Sequence, residues 1–225
     1  MLSKVTGFYH KKLLHISVVA LLYLHNPAHA GHFQKILPPA FMKKIQREQG
    51  QETIQRFSRW QQLLVTSIAL TDREKLELVN NFFNEMKWVD DQELWGRKDY
   101  WATPIESLIK NAGDCEDFSI AKYFTLLEMG VEAEKLSISY VVYQKDNGAH
   151  MVLTYFEAKD SVPLILDNVE NQILQETQRS DITPIYHLNS GGVWNANSPS
   201  ERLGSTVEIK PWKAMLDRMR NHSLS

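Results

Sequence analysis

A single cysteine, Cys115, is all the thiol this 225-residue chain carries, so no internal disulfide can form. One thiol and the few histidines past residue 32 also fall short of a zinc-ligand set. Positive charge is no more plentiful: Lys and Arg number 25 against 27 Asp and Glu, for a net charge of -2. With no zinc-finger spacing and no dense basic run, a nucleic-acid backbone has nothing to meet. Past residue 30 no apolar run is long enough to span a bilayer, and neither repeats nor low-complexity stretches occur. What remains is 43% hydrophobic and 23% charged residues, enough to bury the core of one main domain.

The first thirty residues read as an export signal. Lys4, Lys11 and Lys12 form the positive region, residues 13–24 (LLHISVVALLYL) the apolar stretch, and Ala28-His29-Ala30 the small-x-small cleavage pattern. An uncleaved anchor or buried helix is the competing reading, and the short apolar stretch weighs against it. Cleavage before Gly31 leaves 31–225 as a single domain in a compartment that permits disulfides. A lone thiol there is a buried small hydrophobe, an intermolecular partner or a reactive nucleophile.

Residues 41–67 carry apolar side chains at helical spacing, predicting one long helix or two. Thr71 followed by Glu74 is a capping-box pattern that opens a helix predicted over 72–88, with Leu76, Val79, Phe82, Phe83 and Met86 on one face. Residues 92–111 are aromatic and irregular, punctuated by Trp95-Gly96 and Thr103-Pro104. Gly113-Asp114 then introduces a helix over 115–129, with Gly130 past its end. Strand-like runs follow at 136–143, 150–156 and 164–167, the first two joined by an Asp146-Asn147-Gly148 turn. Beyond Asp167 the signals fade: 195–205 reads as a polar loop, and a last helix starts near Pro211, with Trp212, Met215, Leu216 and Met219 on one side. Helices first and strands after predict an α+β domain, an antiparallel sheet packed behind a helix.

Cys115 falls at the start of a predicted helix, where free N–H groups and the macrodipole favour a thiolate. Such a nucleophile needs a base, and the base an orienting acceptor. Of the eight histidines, His10, His15, His25 and His29 belong to the leader and His32 follows the cut. Among His150, His187 and His222, only His150 opens a strongly alternating strand beside a turn, and Asp167 ends the next strand, within reach of its far nitrogen. Each has an ordinary explanation alone: structural cysteine, core or capping histidine, turn former. Asp114, Glu116 and Asp117 crowd negative charge around a sulfur that must itself become negative. A shared Ca²⁺ would offset them; ordinary helix capping is the alternative. Trp95, Tyr100 and Trp101 lie just upstream, as cleft lining or as core.

Several words of this sequence, in this order, resemble the bacterial transglutaminase-like cysteine proteinases: Trp95-Gly96, Asp99-Tyr100-Trp101-Ala102-Thr103-Pro104, Gly113-Asp114-Cys115-Glu116-Asp117, Ala149-His150-Met151-Val152-Leu153 and Leu166-Asp167-Asn168. The resemblance runs over about residues 53–194. It implies a papain/transglutaminase-like fold with the nucleophile at a helix N-terminus, a Cys115, His150, Asp167 triad, and Ca²⁺ held by Asp114, Glu116 and Asp117. It further implies a calcium-dependent periplasmic endopeptidase that cuts the N-terminal region of a large surface adhesin next to paired alanines, releasing it and promoting biofilm dispersal. The partner so implied is the periplasmic domain of an inner-membrane cyclic-di-GMP receptor. Two other readings share these residues: a transglutaminase or acyltransferase using the same triad, and a non-catalytic calcium-dependent binding module.

Overall fold

The structure, a computed structural model, describes Leu37 and residues 39–222 apart from Asp160 and Ser190. The predicted export signal lies outside the described residues. No helix among them is long and apolar enough to cross a membrane.

Helix α1 (Pro39–Thr66) is two helices joined at a kink at Gly50, whose φ of 82° and ψ of -177° no helix tolerates. Its second half buries Phe57 and Trp60 completely. Helix α2 (Asp72–Phe83) starts at the predicted capping box, with Thr71 and Glu74 satisfying each other's backbone amides. It ends five residues earlier than the apolar spacing suggested, because Lys87–Trp88 leave as a short strand β1 that pairs in parallel with β2 (Ala112–Gly113). The region read as irregular holds two short helices. In α3 (Asp91–Trp95) Asp90 accepts from the Glu93 amide, and in α4 (Pro104–Lys110) Thr103 and Glu106 form a second capping box. Helix α5 (Cys115–Glu128) follows, ending before Gly130 at φ 81°.

The sheet has seven strands in the order β6-β5-β4-β3-β7-β8-β9, and every adjacent pair is antiparallel. Strands β3 (Leu136–Tyr143), β4 (Ala149–Tyr155) and β5 (Leu164–Leu166) match the predicted runs closely. The β3–β4 turn is held by the Gly148 amide, which donates to Asp146 Oδ1 at 2.9 Å. Four strands went unread: β6 (Leu174–Gln175), β7 (Ile182–Asn189), β8 (Gly192–Asn195) and β9 (Ser198–Gly204). The polar loop expected over 195–205 is mostly β9, paired with β8. Strand β7 contains Pro184, which sits where only β3 is its neighbour, and β8 pairs from Tyr186 onward.

Period-two alternation sends Leu136 and Ile138 of β3 and Leu153 of β4 to one face, where they join Ile120 and Leu126 of α5, Trp60 of α1 and Leu76 and Val79 of α2 in the main core. Each fully buried aliphatic contributes about 1.5–3 kcal/mol. Trp60 Nε1 donates to Thr125 Oγ1 at 3.0 Å, so the indole satisfies its polar atom while locking α1 to α5. Helix α6 (Lys210–His222) seals the far side with Trp212, Met215 and Met219, as its periodicity predicted. The arrangement is an α+β fold in which α5 lies against the centre of the sheet and presents its N-terminus beside β4.

Candidate active site

Cys115 is the first residue of α5 and is partly buried. Two contacts fix that helix end against β4: Ser119 Oγ, one turn on, donates to Met151 O at 3.1 Å and lies 3.0 Å from Cys115 O. Met151 follows His150, so the pin ties the helix end that bears Cys115 to the start of the strand that bears His150. His150 is 5% exposed, and the Tyr143 ring lies 4.8 Å from its own. His150 Nε2 and Asp167 Oδ1 are 2.8 Å apart.

Asp167 follows β5 directly, and four groups besides His150 hold it. Its Oδ1 also accepts the Val169 amide at 3.0 Å, its Oδ2 accepts Arg179 Nη2 at 2.8 Å, and its carbonyl accepts Asn84 Nδ2 at 2.8 Å and Lys122 Nζ at 3.1 Å. Burial pushes the carboxyl up, but the bonds from His150, Val169 and Arg179 overcome it and leave the pKa lowered to about 2. An ionised Asp167 accepts the Nε2 proton, which leaves the lone pair of the neutral ring on Nδ1. The structure thus places Asp167 and His150 in direct contact and Cys115 on the neighbouring helix end.

The thiol itself faces an unfavourable field. Burial raises its pKa, the Glu116 carboxylate raises it further both by charge and by accepting from Sγ at 3.2 Å, and Asp114 adds to both; a backbone hydrogen bond from Met151 opposes them.

The flanking acids do not behave as caps. Asp114 stands at the N-cap position with extended backbone, yet its side chain caps nothing. Asp117 Oδ1 accepts the Ala102 amide at 2.6 Å, and Asp91 Oδ2 accepts the Tyr100 amide. Asp91 Oδ1, Asp114 Oδ1 and Asp117 Oδ2 are buried without a hydrogen-bond partner, and carboxylate oxygens of these three residues lie within 4.8 Å of one another. Orphaned buried oxygens are rare and costly. Three converging carboxylates of this kind suit a hard cation with oxygen ligands. Glu116 belongs to a second, overlapping group with Asp91 and Asp99. Burial and neighbouring charge push Asp91 up to about 6 and Asp114 up to about 10, and burial pushes Asp117 well above the carboxylate range.

Of the acids singled out by sequence, Asp114 and Asp117 share one group and Glu116 turns to the other, while Asp91 and Asp99 were missed. Asp91 reaches Asp114 only because the β1–β2 ladder brings Val89 N to Gly113 O at 3.0 Å, a tertiary pairing with no local signal. The upstream aromatics divide as well. Trp101 is buried against Trp212 with ring centroids 6.3 Å apart, whereas Trp95 and Tyr100 pack on each other at 4.6 Å and are only partly covered.

The bacterial transglutaminase-like cysteine proteinase family (BTLCP) matches residues 37–184. No curated protein matches the chain. Among solved structures, Legionella pneumophila LapG is 36% identical over 79% of this chain and 97% of its own, with a TM-score of 0.69. The EGTA-treated form of LapG matches at 37% identity over 79% and 97%, TM-score 0.70. The calcium-bound form matches at 37% over 79% and 98%, TM-score 0.69. With the helix-borne cysteine, the buried His–Asp couple and a likeness that spans most of both chains, the protein belongs to the bacterial transglutaminase-like cysteine proteinase family.

Proposed function

We propose that this chain is a calcium-dependent cysteine endopeptidase of the periplasm that cleaves the N-terminal region of a large surface adhesin, with Cys115, His150 and Asp167 as its triad. The observation that carries the reading is the His150–Asp167 couple, buried and set by the Ser119–Met151 contacts against the helix end that bears the sole cysteine. Identity of 36–37% to LapG supports the same activity, and its calcium-bound and EGTA-treated forms support the ion.

The proposed chemistry uses these residues as follows. His150, protonated on Nε2 toward Asp167, takes the thiol proton on Nδ1, and the sulfur attacks the scissile carbonyl. The amide of Cys115, at the start of α5, is free to donate to the oxyanion. The imidazolium, stabilised by ionised Asp167, returns its proton to the leaving amine. Water then hydrolyses the thioester with the same residue as base. Asp91, Asp114 and Asp117 would hold Ca²⁺, with Glu116 and Asp99 alongside. Bound there, the ion supplies positive charge against the carboxylates that raise the thiol.

Export through the signal over residues 1–30 would leave a mature domain from Gly31. A cyclic-di-GMP receptor with a periplasmic domain would sequester the mature protease, and Trp88, 60% exposed on β1, is a surface aromatic suited to such a contact.

Intact-mass analysis of an adhesin N-terminal fragment incubated with the chain from Gly31, in calcium and in chelator, tests the reading. Two fragments summing to substrate plus water, formed only with calcium, are expected. A mass gain on an added amine would replace hydrolysis by acyl transfer, and an uncut substrate in both conditions would remove the protease reading for that substrate.

A further inference from the structure

His150 uses one oxygen of Asp167, and the other is taken by a residue that the reaction does not name. Arg179 Nη2 donates to Asp167 Oδ2 at 2.8 Å and to Asp181 Oδ2 at 2.8 Å, and Arg179 Nε donates to Asp181 Oδ1 at 2.9 Å. Asp181 thus grips the guanidinium through two bonds, while Asp167 takes the inward edge. Arg179 is 4% exposed and Asp167 1%, whereas the Asp181 side chain is 52% exposed. The row runs from solvent to the imidazole with alternating charge: carboxylate, guanidinium, carboxylate, His150.

Burying an arginine is expensive, and breaking such a pair more so. The fold does not need this one to place Asp167, since the Asp167 carbonyl is already held by Asn84 Nδ2 and Lys122 Nζ, and Asn80 Nδ2 holds Asn171 O at 2.9 Å further along the same loop. Those bonds fix the backbone. On the side chain, the Val169 amide holds Oδ1, the oxygen that His150 also uses, and Arg179 holds Oδ2. Its short hydrogen bonds go to the two carboxylates, through Nε and Nη2. The adjoining Tyr143 phenol, on the strand paired with that of His150, is pushed up to about 12 by burial and stays neutral, and so cannot replace the charge.

We propose that Arg179, itself held by Asp181, is a positioning residue of the triad: it locks the Asp167 carboxylate in the orientation that presents Oδ1 to His150 Nε2. The inference rests on the triad reading above. It assigns to the segment between β6 and β7 a part in catalysis that reaches the imidazole only through Asp167.

The test uses the full chain with Arg179→Gln, Arg179→Lys and Asp181→Asn, read by steady-state cleavage of the adhesin fragment and by the His150 Nε2 proton in ¹H–¹⁵N spectra. Arg179→Gln is expected to lower kcat by about 10–100-fold with KM nearly unchanged, as for other groups that orient a reactive side chain. The Nε2 proton, slow to exchange in the parent, should broaden into solvent exchange. Arg179→Lys should restore part of both, and Asp181→Asn should show the same changes on a smaller scale. A purely structural arginine would lower Tm while leaving kcat of the folded protein and the Nε2 signal untouched, and that result overturns the proposal. If Arg179→Gln does not fold, Asp181→Asn decides: unchanged kcat and an unchanged Nε2 proton there sink it. Should the parent cleave no adhesin fragment, the functional reading fails, yet the Nε2 signal still settles the positioning claim.

Discussion

Cys115 Sγ donates to Glu116 Oε2 across 3.2 Å, so the nucleophile's hydrogen bond goes to the residue next in sequence. That contact holds the proton on sulfur, because a carboxylate acceptor favours the thiol over the thiolate. Without calcium, Glu116→Gln should therefore raise the rate of Cys115 alkylation by iodoacetamide about tenfold or more at pH 8, the effect of removing one charge at this range. In the parent, calcium should produce a similar rise; in Glu116→Gln it should add little. Equal rates in parent and variant without the ion would remove Glu116 from control of the thiol.

Asp91 carries a sharper prediction, because sequence reasoning passed it over. If its orphaned Oδ1 completes the ion site with Asp114 and Asp117, Asp91→Asn should lose calorimetric Ca²⁺ binding by at least tenfold. Asp99→Asn, on the exposed side, should lose less. Full affinity in Asp91→Asn would place the ion elsewhere.

Metal-free protein should show an inverted response to pH. Asp91 is raised to about 6 and Asp114 to about 10 from 3.8. Their contribution is thus complete below the unfolded carboxylate range and is lost as pH rises through the folded values. Asp167, lowered to about 2, acts oppositely: its contribution is present above 3.8 and lost as pH falls toward 2. Tm in chelator should peak near pH 4–5 and decline toward pH 9, and saturating calcium should flatten the decline. A chelated protein whose Tm climbs from pH 5 to 8 would contradict the raised carboxylates.

At Gly113 the constraint is space. A Cβ there would lie 2.6 Å from Asp117 Cβ and 2.7 Å from its Oδ2. Since Asp117 Cβ cannot rotate away, Gly113→Ala should destabilise by about 1–3 kcal/mol and weaken calcium binding together with turnover. A variant with parental Tm and affinity would show that the loop before α5 yields more than its packing suggests.

The triad's own substitutions separate chemistry from folding. Cys115→Ala should abolish cleavage with circular dichroism unchanged. Asp167→Asn should reduce kcat by about 10³–10⁴ and lower Tm, since it leaves Arg179 buried beside a neutral amide. Retained turnover in Cys115→Ala would end its role as nucleophile.

The legible parts of this molecule were those written in local pattern. Strands β3 to β5 alternate strongly, Thr71 and Glu74 form a capping box, and α6 shows one apolar stripe; each was read nearly to the residue. Strand β7 was invisible because its alternation is polar and interrupted by Pro184, and it is a strand because β3 offers an open edge. Helix α2 was read too long because Phe82 and Met86 keep the helical period after Lys87–Trp88 have found a partner in Ala112–Gly113. The same limit governs the site. Cys115, His150 and Asp167 carry signals in their own elements, whereas the roles proposed for Asp91 and Arg179 come from contacts with Asp114 and Asp167 in other elements, and Asp181 enters only through Arg179.

The two-residue ladder between β1 and β2 has a use at the bench. Val89 N, just past the end of β1, donates to the carbonyl of Gly113, two residues before Cys115, and its neighbour Trp88 is open to solvent. That amide exchanges with deuterium only when the turn bearing the nucleophile lets go. Its protection factor is therefore a clock for the opening of the Cys115 turn, readable without substrate, inhibitor or label.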